Sequence, residues 1–165
     1  MNEIFTRRSI RKFSDQKVSD EKITKILKAA MQAPSAKNQQ GWEFIVIKNK
    51  AKLLELTGLS PFAGALKTCD FAIVSIVNTD KLIAAIRWQQ DLSAAAQNML
   101  LEAHYLGLGA VWLGAAPSPP QADFISEALD LPDNKIPFSV IAFGYPLKTK
   151  EAIDRYNPDI ITYIE

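Results

Sequence analysis

The sequence contains a single cysteine and a single histidine, which removes several kinds of site at once. Cys69 has no second cysteine for an internal disulfide, and this favours a reducing compartment such as the cytoplasm. Cys69 also lacks an identifiable histidine–acid set, so a thiol nucleophile is a poor interpretation. His104 has no cysteine or second histidine at a ligand spacing. We therefore expect no metal site, and a packed or hydrogen-bonded His104.

An excess of one charge and a long apolar run are also missing. The 19 basic and 18 acidic side chains give a net charge of +1, which argues against broad nucleic-acid binding. The least polar stretch, residues 105–117, is too short to cross a bilayer. Arg7 and Arg8 interrupt any early apolar run of the kind that a secretory leader needs. We expect one cytoplasmic domain over residues 1–165 with no membrane partner.

What the sequence does contain is an alternation of helix and strand patterns. Ser19 is placed to cap a helix whose apolar stripe ends before Pro34, and a helix over residues 87–105 is apolar almost all round. Four strands and two further helices are expected, at 43–48, 71–77, 110–113 and 136–143, and after Asn49 and Ser118. This order indicates a layered structure of helices and strands. The C-terminal arm (residues 148–165) turns apolar at its end, so we expect it to dock on another surface.

A basic segment at residues 7–12 carries four positive charges, Arg7, Arg8, Arg11 and Lys12, and the hydroxyl of Ser9. Guanidinium groups suit phosphate and planar carbonyl edges because their donors have a fixed geometry. Three interpretations are open from the residues alone: a solvated charged face, a nucleic-acid or targeting patch, and an anion site. Ser9 between the arginines favours the anion site, and the lack of a wider basic surface counts against nucleic acid.

A small polar segment follows the first long helix, and it includes Pro34, Ser35, Ala36 and Asn38. Such residues are typical of any connection between a helix and a strand. Amide side chains also offer both donors and acceptors to the polar edge of a ligand. Both interpretations are open from the residues alone.

The glycines at 107, 109 and 114 do not form a dinucleotide-binding fingerprint, because two of them precede the strand instead of following it. No phosphate-binding loop of the Walker A type is present either. Gly107 and Gly109 are expected to end the long helix. Gly114, just past the strand, would allow a ligand close to the backbone.

Taken together, these motifs resemble the nitroreductase family of FMN-dependent oxidoreductases, in its short single-domain form. The resemblance is carried, in chain order, by RRSIRKF at 7–13, APSAKNQQGW at 33–42, the helix and turn at 91–109, FGYP at 143–146 and DRY at 154–156. It covers nearly the whole chain. Each motif is moderately specific, and four of them in the family's order are strongly so.

The resemblance implies roles for individual residues. Arg7, Ser9 and Arg155 correspond to residues that hold the FMN phosphate, with Arg8 beside them. Arg11 corresponds to the cation at the pyrimidine edge of the flavin, where positive charge supports reduction. Pro34, Ser35, Ala36 and Asn38 correspond to residues that reach the flavin from the other subunit, and the backbone of Trp112, Leu113 and Gly114 to the stretch that packs on the ring and donates to N5. Lys12 is expected to be only solvated.

The implied fold is of the α+β class: an α/β/α sandwich around a mostly antiparallel sheet, in an intertwined homodimer that exchanges the C-terminal arm. The implied reaction is ping-pong. Hydride passes from NADH or NADPH to flavin N5 and then to a small electron-poor acceptor such as a nitroaromatic or quinone. No catalytic side chain is required.

The chain departs from the family pattern at three places. Gly41 stands where a proline is usual, which implies a looser loop. Lys67 is the nearest candidate for a further lysine at the pyrimidine edge, and residues 58–70 are too short for a helical cover, so we expect an open pocket. The alternative functions are a flavin store or redox sensor without nicotinamide turnover, and a basic interaction module.

Overall fold

The computed structural model describes residues 2–165, in which helices and strands alternate. The helices are α1 (Glu3–Thr6), α2 (Asp20–Met31), α3 (Lys50–Glu55), α4 (Trp88–Tyr105) and α5 (Pro119–Ala128). The strands are β1 (Trp42–Ile47), β2 (Phe71–Asn78), β3 (Gly109–Gly114) and β4 (Lys135–Gly144). Short 3₁₀ turns, among them Leu56–Leu59 and Ala63–Lys67, fill several of the connections.

The four strands form one sheet in the order β1-β2-β4-β3, and every neighbouring pair is antiparallel. Ile45 lies opposite Val74 in the first pair, and Trp112 lies opposite Ile141 in the last. The expected antiparallel sheet is confirmed. Strands β2 and β4 are the two central strands, since each pairs with a neighbour on both sides.

Two apolar cores lie on the two faces of this sheet. Successive residues of a strand point to opposite faces, and β2 shows this directly: Ile73 belongs to one core and Val74 to the other. Helices α2 and α4 cover the first face. Helices α3 and α5 and the 3₁₀ turns cover the second. The expected α/β/α sandwich is therefore confirmed.

The start of α2 at Ser19 and the end of α4 at Gly107 are as the sequence predicts. The Ser19 hydroxyl accepts from the backbone N–H of Lys22 at the start of α2. At the end of α4, Gly107 adopts a left-handed backbone with φ of +76°. The N–H groups of Leu108 and Gly107 then donate to the carbonyls of Ala103 and His104, which closes the helix with a Schellman motif.

Two features differ from the expectations. Helix α1 was not expected, and Gly109 is the first residue of β3 rather than part of the helix cap. A Cβ at Gly109 would lie 2.7 Å from the side chain of Ile10. Gly109 is therefore required for close packing of two segments, which a local pattern does not reveal. Among residues 2–165, none of the helices combines the length and apolar character that a bilayer crossing demands.

Candidate functional site

The N-terminal segment (residues 7–14) is extended and is held against the sheet by its own backbone. The Ile10 N–H donates to the Ala110 carbonyl of β3 at 2.9 Å. Farther along, the Ser14 N–H donates to the Tyr145 carbonyl, and the Lys12 carbonyl accepts from the Leu147 N–H just after β4. Ile10 and Phe13 point into the core and are buried. Arg11 and Lys12 lie between these two buried residues, so their backbone is held in place while their side chains are exposed.

Three guanidinium groups gather around the start of this segment. Burial of Arg7, together with the nearby charges of Arg155 and Arg8, lowers the pKa of Arg7. Within residues 2–165 no arginine forms an ion pair with a carboxylate. Like charges repel one another, and a bound anion would relieve that repulsion.

The C-terminal arm contacts the same segment through its first residues. Arg8 Nη1 donates to the Glu151 carbonyl at 3.1 Å. Lys150 Nζ donates to the Ser9 carbonyl, also at 3.1 Å. These two bonds lie at the exposed surface, and farther along the arm Arg155 is near enough to Arg7 for its charge to lower the pKa of Arg7. The structure thus brings together the residues that the resemblance assigns to the phosphate.

Arg11 lines a cavity of about 320 Å³ together with the end of β3. Trp112, Leu113 and Gly114 form one wall, and nothing lies within 4 Å of the position that a Gly114 Cβ would take. The Trp112 ring packs edge-on against Phe138, with 5.6 Å between ring centroids. The half-buried Trp112 side chain thus packs against the core while it lines the cavity, and the backbone at Gly114 is left open to a ligand.

Phe62 also lines this cavity, although the sequence did not predict it as a site residue. Its side chain is 80% exposed, whereas Leu59 and Ala63 on either side of it are buried. The Phe62 N–H donates to the Ser60 hydroxyl at 3.3 Å, which fixes the turn. An exposed aromatic ring is therefore held at the cavity by a short anchored turn. The only sequence signal for Phe62 was an aromatic residue within a stretch rich in proline and glycine.

The loop that contains Pro34, Ser35, Ala36 and Asn38 is held by a buried carboxylate at the start of α4. Asp91 accepts from the Ala36 N–H at 2.9 Å and from Gln39 Nε2 at 2.6 Å. Gln39 Oε1 accepts in turn from the backbone N–H groups of Ile83 and Ala84. Asp91 and Gln39 are positioning residues that sequence reasoning missed, because their partners lie about 50 residues apart in the chain.

The same loop has an unusual backbone. Lys37, Asn38 and Gln40 all lie in the left-handed region, with φ of 52°, 51° and 45°. Non-glycine residues occupy this region rarely, and clusters of them mark functional turns. The loop does not line the Arg11 cavity. Within one chain the structure therefore brings Arg11 together with residues 112–114, but not with the loop.

The remaining candidate groups have ordinary roles. Burial raises the pKa of the Cys69 thiol to about 11, so the thiol is protonated and unreactive at neutral pH. His104 Nε2 shares a 2.8 Å hydrogen bond with the Thr6 hydroxyl, in agreement with the expected hydrogen-bonded histidine. Lys67 is exposed and does not line the Arg11 cavity. Within residues 2–165 no cluster of metal-ligating side chains is present.

Sequence comparison relates most of the chain to known proteins. The model of the nitroreductase family matches residues 4–90 and 82–145. A protein of Archaeoglobus fulgidus described as a candidate NADH dehydrogenase/NAD(P)H nitroreductase is 46% identical over 164 residues, which cover 96% of this chain and 93% of that protein.

Structural comparison agrees. A candidate NADH oxidase of Clostridium acetobutylicum superposes with a TM-score of 0.96 at 46% identity, covering 99% of both chains. A candidate nitroreductase of Desulfovibrio desulfuricans, solved in complex with FMN, superposes with a TM-score of 0.89 at 32% identity, covering 99% of this chain and 95% of that one. The sandwich fold, the order of the motifs and these likenesses together show that the chain belongs to the nitroreductase family.

Proposed function

We propose that the chain is an FMN-dependent NAD(P)H oxidoreductase that reduces an electron-poor acceptor, such as a nitroaromatic or a quinone, in ping-pong order. The observation that carries this proposal is the cavity in which Arg11 faces the Trp112–Gly114 backbone. FMN, when bound, supplies a group that accepts hydride from a nicotinamide and passes it to the second substrate. The FMN complex of the Desulfovibrio desulfuricans relative supports the choice of cofactor.

The residues present fit this cofactor at both of its ends. Arg7 and Arg155 are cations without a carboxylate partner in the described chain, and Ser9 adds a hydroxyl, which is a donor set suited to a phosphate monoester. At the other end, a cavity of about 320 Å³ with open space at Gly114 leaves room for a planar ring against backbone.

Arg11 contributes positive charge at the cavity wall. If FMN binds here, the Arg11 guanidinium would stabilise negative charge on the reduced ring, and a partly enclosed site would strengthen that effect relative to water. No histidine, aspartate or glutamate lines the cavity. No side chain is therefore assigned as a general acid or base, and the chain's contribution is to bind, orient and polarise.

The competing function is a flavin store or sensor, and an absorbance spectrum with an anaerobic nicotinamide titration separates the two. We expect a yellow protein whose flavin absorbance is bleached by NADH or NADPH and recovers when a nitro compound is added. A flavin that neither nicotinamide reduces would favour the store or sensor. Colourless protein that takes up no added FMN would reject both functions.

We further propose that two copies of the chain complete the site. Exposed apolar side chains follow one another along the arm, at Ile153, Tyr156, Ile160, Tyr163 and Ile164. An arm of this kind gains stability only by docking on another surface, and a second copy would also bring the Pro34–Asn38 loop to the flavin.

Light scattering of the wild type should give a dimer, and a monomeric mass with FMN still bound would refute the arrangement. The variant Ile160→Asp puts a charge on the arm and should weaken the dimer. The matched variant Leu54→Asp charges an exposed position on α3 instead, and it should remain dimeric.

A further inference from the structure

Arg11 also lines a second cavity, of about 490 Å³, which the proposed site does not use. Its walls are the N-terminal segment and the chain that follows β4: Ile10, Arg11, Lys12, Leu147, Lys148 and Lys150. Four of these six residues are cationic, and no carboxylate is among them. Lys12, expected to be only solvated, thus faces a concave basic surface, which we call the basic cavity.

The two walls of the basic cavity are joined through the backbone, and the cationic side chains that line it are exposed. The Leu147 N–H donates to the Lys12 carbonyl at 3.1 Å, which fixes the two walls relative to each other. Ile10 is only 8% exposed and anchors one wall in the core. Lys150 Nζ is held by the Ser9 carbonyl.

The cations of the basic cavity have no protein counter-charge. Among the described residues, Arg11, Lys12, Lys148 and Lys150 form no ion pair. A concave surface lined by one sign of charge concentrates the opposite sign, so the cavity attracts small anions. Lysine ammonium groups act as point charges and suit phosphate oxygens in many orientations.

We propose that the basic cavity binds phosphate groups of the adenosine half of the nicotinamide donor, and that a 2′-phosphate there makes NADPH the preferred donor. This inference rests on the proposed function. Arg11 lines both cavities, so they are neighbours, and a donor whose nicotinamide stacks on a flavin ring held in the first would have its phosphate groups near the second. A phosphate monoester carries a charge of about −1.5 to −2 at neutral pH, so NADPH gains more from four cations than NADH does.

The flavin phosphate is the other source of the same chemistry, and the experiment distinguishes it. Lys148 and Lys12 are the residues to change, since neither is among those assigned to the FMN phosphate. Lys28→Ala is the matched control, because Lys28 is an exposed lysine on α2 outside both cavities. Flavin content of each purified variant shows whether FMN binding is affected.

The decisive measurement is the ratio of kcat/KM for NADPH to that for NADH, from anaerobic flavin bleaching. We expect the wild type to favour NADPH and Lys148→Ala to lower the ratio about tenfold, as for the loss of one charged hydrogen-bond partner. Lys12→Ala should lower it in the same direction, and Lys28→Ala should leave it as in the wild type. An equal ratio in all four proteins overturns the inference, as does a loss of flavin from Lys148→Ala, which would assign the cavity to FMN.

A binding measurement keeps this inference separate from the proposed function. Adenosine 2′,5′-bisphosphate and adenosine 5′-monophosphate are titrated calorimetrically into the protein as purified. Tighter binding of the bisphosphate, weakened by Lys148→Ala and by added salt, supports the basic cavity even if neither nicotinamide bleaches the flavin. Equal or absent binding of the two nucleotides overturns it even if the protein proves to be an active reductase.

Discussion

The N-terminal segment and the C-terminal arm carry cations proposed for the same phosphate, but the chain holds them in opposite ways. The segment is tied to β3 and to the chain after β4, and Ile10 and Phe13 are buried. Every residue of 148–165 is exposed. The difference shows that Arg7 and Ser9 are positioned by their own chain, whereas Arg155 depends on whatever covers the arm. We therefore expect substitutions in the segment to lower stability and substitutions on the arm to weaken FMN binding.

The largest effect should come from removing the anchor of the segment. Phe13→Ala deletes a ring that is 4% exposed, and we expect it to lower the free energy of unfolding by about 3–5 kcal/mol. Urea unfolding followed by circular dichroism measures this. Phe62→Ala is the control, because it removes an exposed ring and should cost less than about 0.5 kcal/mol. Equal costs would mean that the segment is not anchored as described.

A smaller effect is expected from pushing the segment away without deleting an anchor. Gly109→Ala places a Cβ 2.7 Å from Ile10, and we expect a loss of about 1–3 kcal/mol in stability together with weaker FMN binding. Gly64→Ala meets nothing within 4 Å and should be close to neutral. Thermal unfolding and bound flavin per chain test both. A stable Gly109→Ala with full flavin content would show that the segment tolerates displacement.

On the arm, the expected loss is in binding and not in folding. Arg155→Ala removes one proposed phosphate partner, so the Kd for FMN should rise about tenfold or more. The unfolding midpoint of the flavin-free protein should not change, because Arg155 is exposed. Fluorescence titration of flavin-free protein gives the Kd. An unchanged Kd would show that Arg155 does not help to bind FMN, and it would contradict the proposal that segment and arm bind the same phosphate.

The smallest expected effect is a dependence of stability on pH at Asp70, which binds the chain just after the N-terminal segment. Burial raises the pKa of Asp70, but hydrogen bonds from the Val18 N–H and the Lys17 ammonium outweigh it and hold the pKa below its ordinary value. A lowered folded-state pKa adds stability that is present above the ordinary value, about 3.9, and is lost as the pH falls through the folded value. Unfolding measured between pH 5 and pH 2 should show this slope, and Asp70→Asn should reduce it.

Much of the fold could be predicted from local patterns. The apolar stripe after Ser19, the almost continuously apolar α4 and the β-branched run at 71–77 gave elements correct to within one or two residues. Their periodicity is a direct consequence of burial on one face or on two. Motifs in the family's order gave the sandwich, and they placed Arg11 and residues 112–114 as candidates for one site, which the structure brings into one cavity. Their contact with FMN stays a prediction.

The rest could not be predicted because it depends on contacts between distant parts of the chain. In the sequence Asp91 looks like an ordinary acidic residue in the first turn of a helix, yet it is buried and accepts a hydrogen bond from the Ala36 N–H. Gly109 reads as a helix end, and only the proximity of Ile10 shows its purpose. The basic cavity is lined by Lys12 and Lys148, which lie near opposite ends of the sequence. Such pairings are set by the tertiary fold and leave no periodic signal.

The pairing of Ser9 with Ala110 has a consequence for the behaviour of the protein in concentrated solution. Strand β3 lies at one edge of the sheet, and an uncovered edge strand offers unpaired N–H and C=O groups to other chains. The N-terminal segment occupies the start of that edge, where the Ile10 N–H already donates to Ala110. The segment that carries residues proposed to bind the cofactor thus also covers the start of this edge, so we expect a chain that lacks the segment to be less soluble as well as free of flavin.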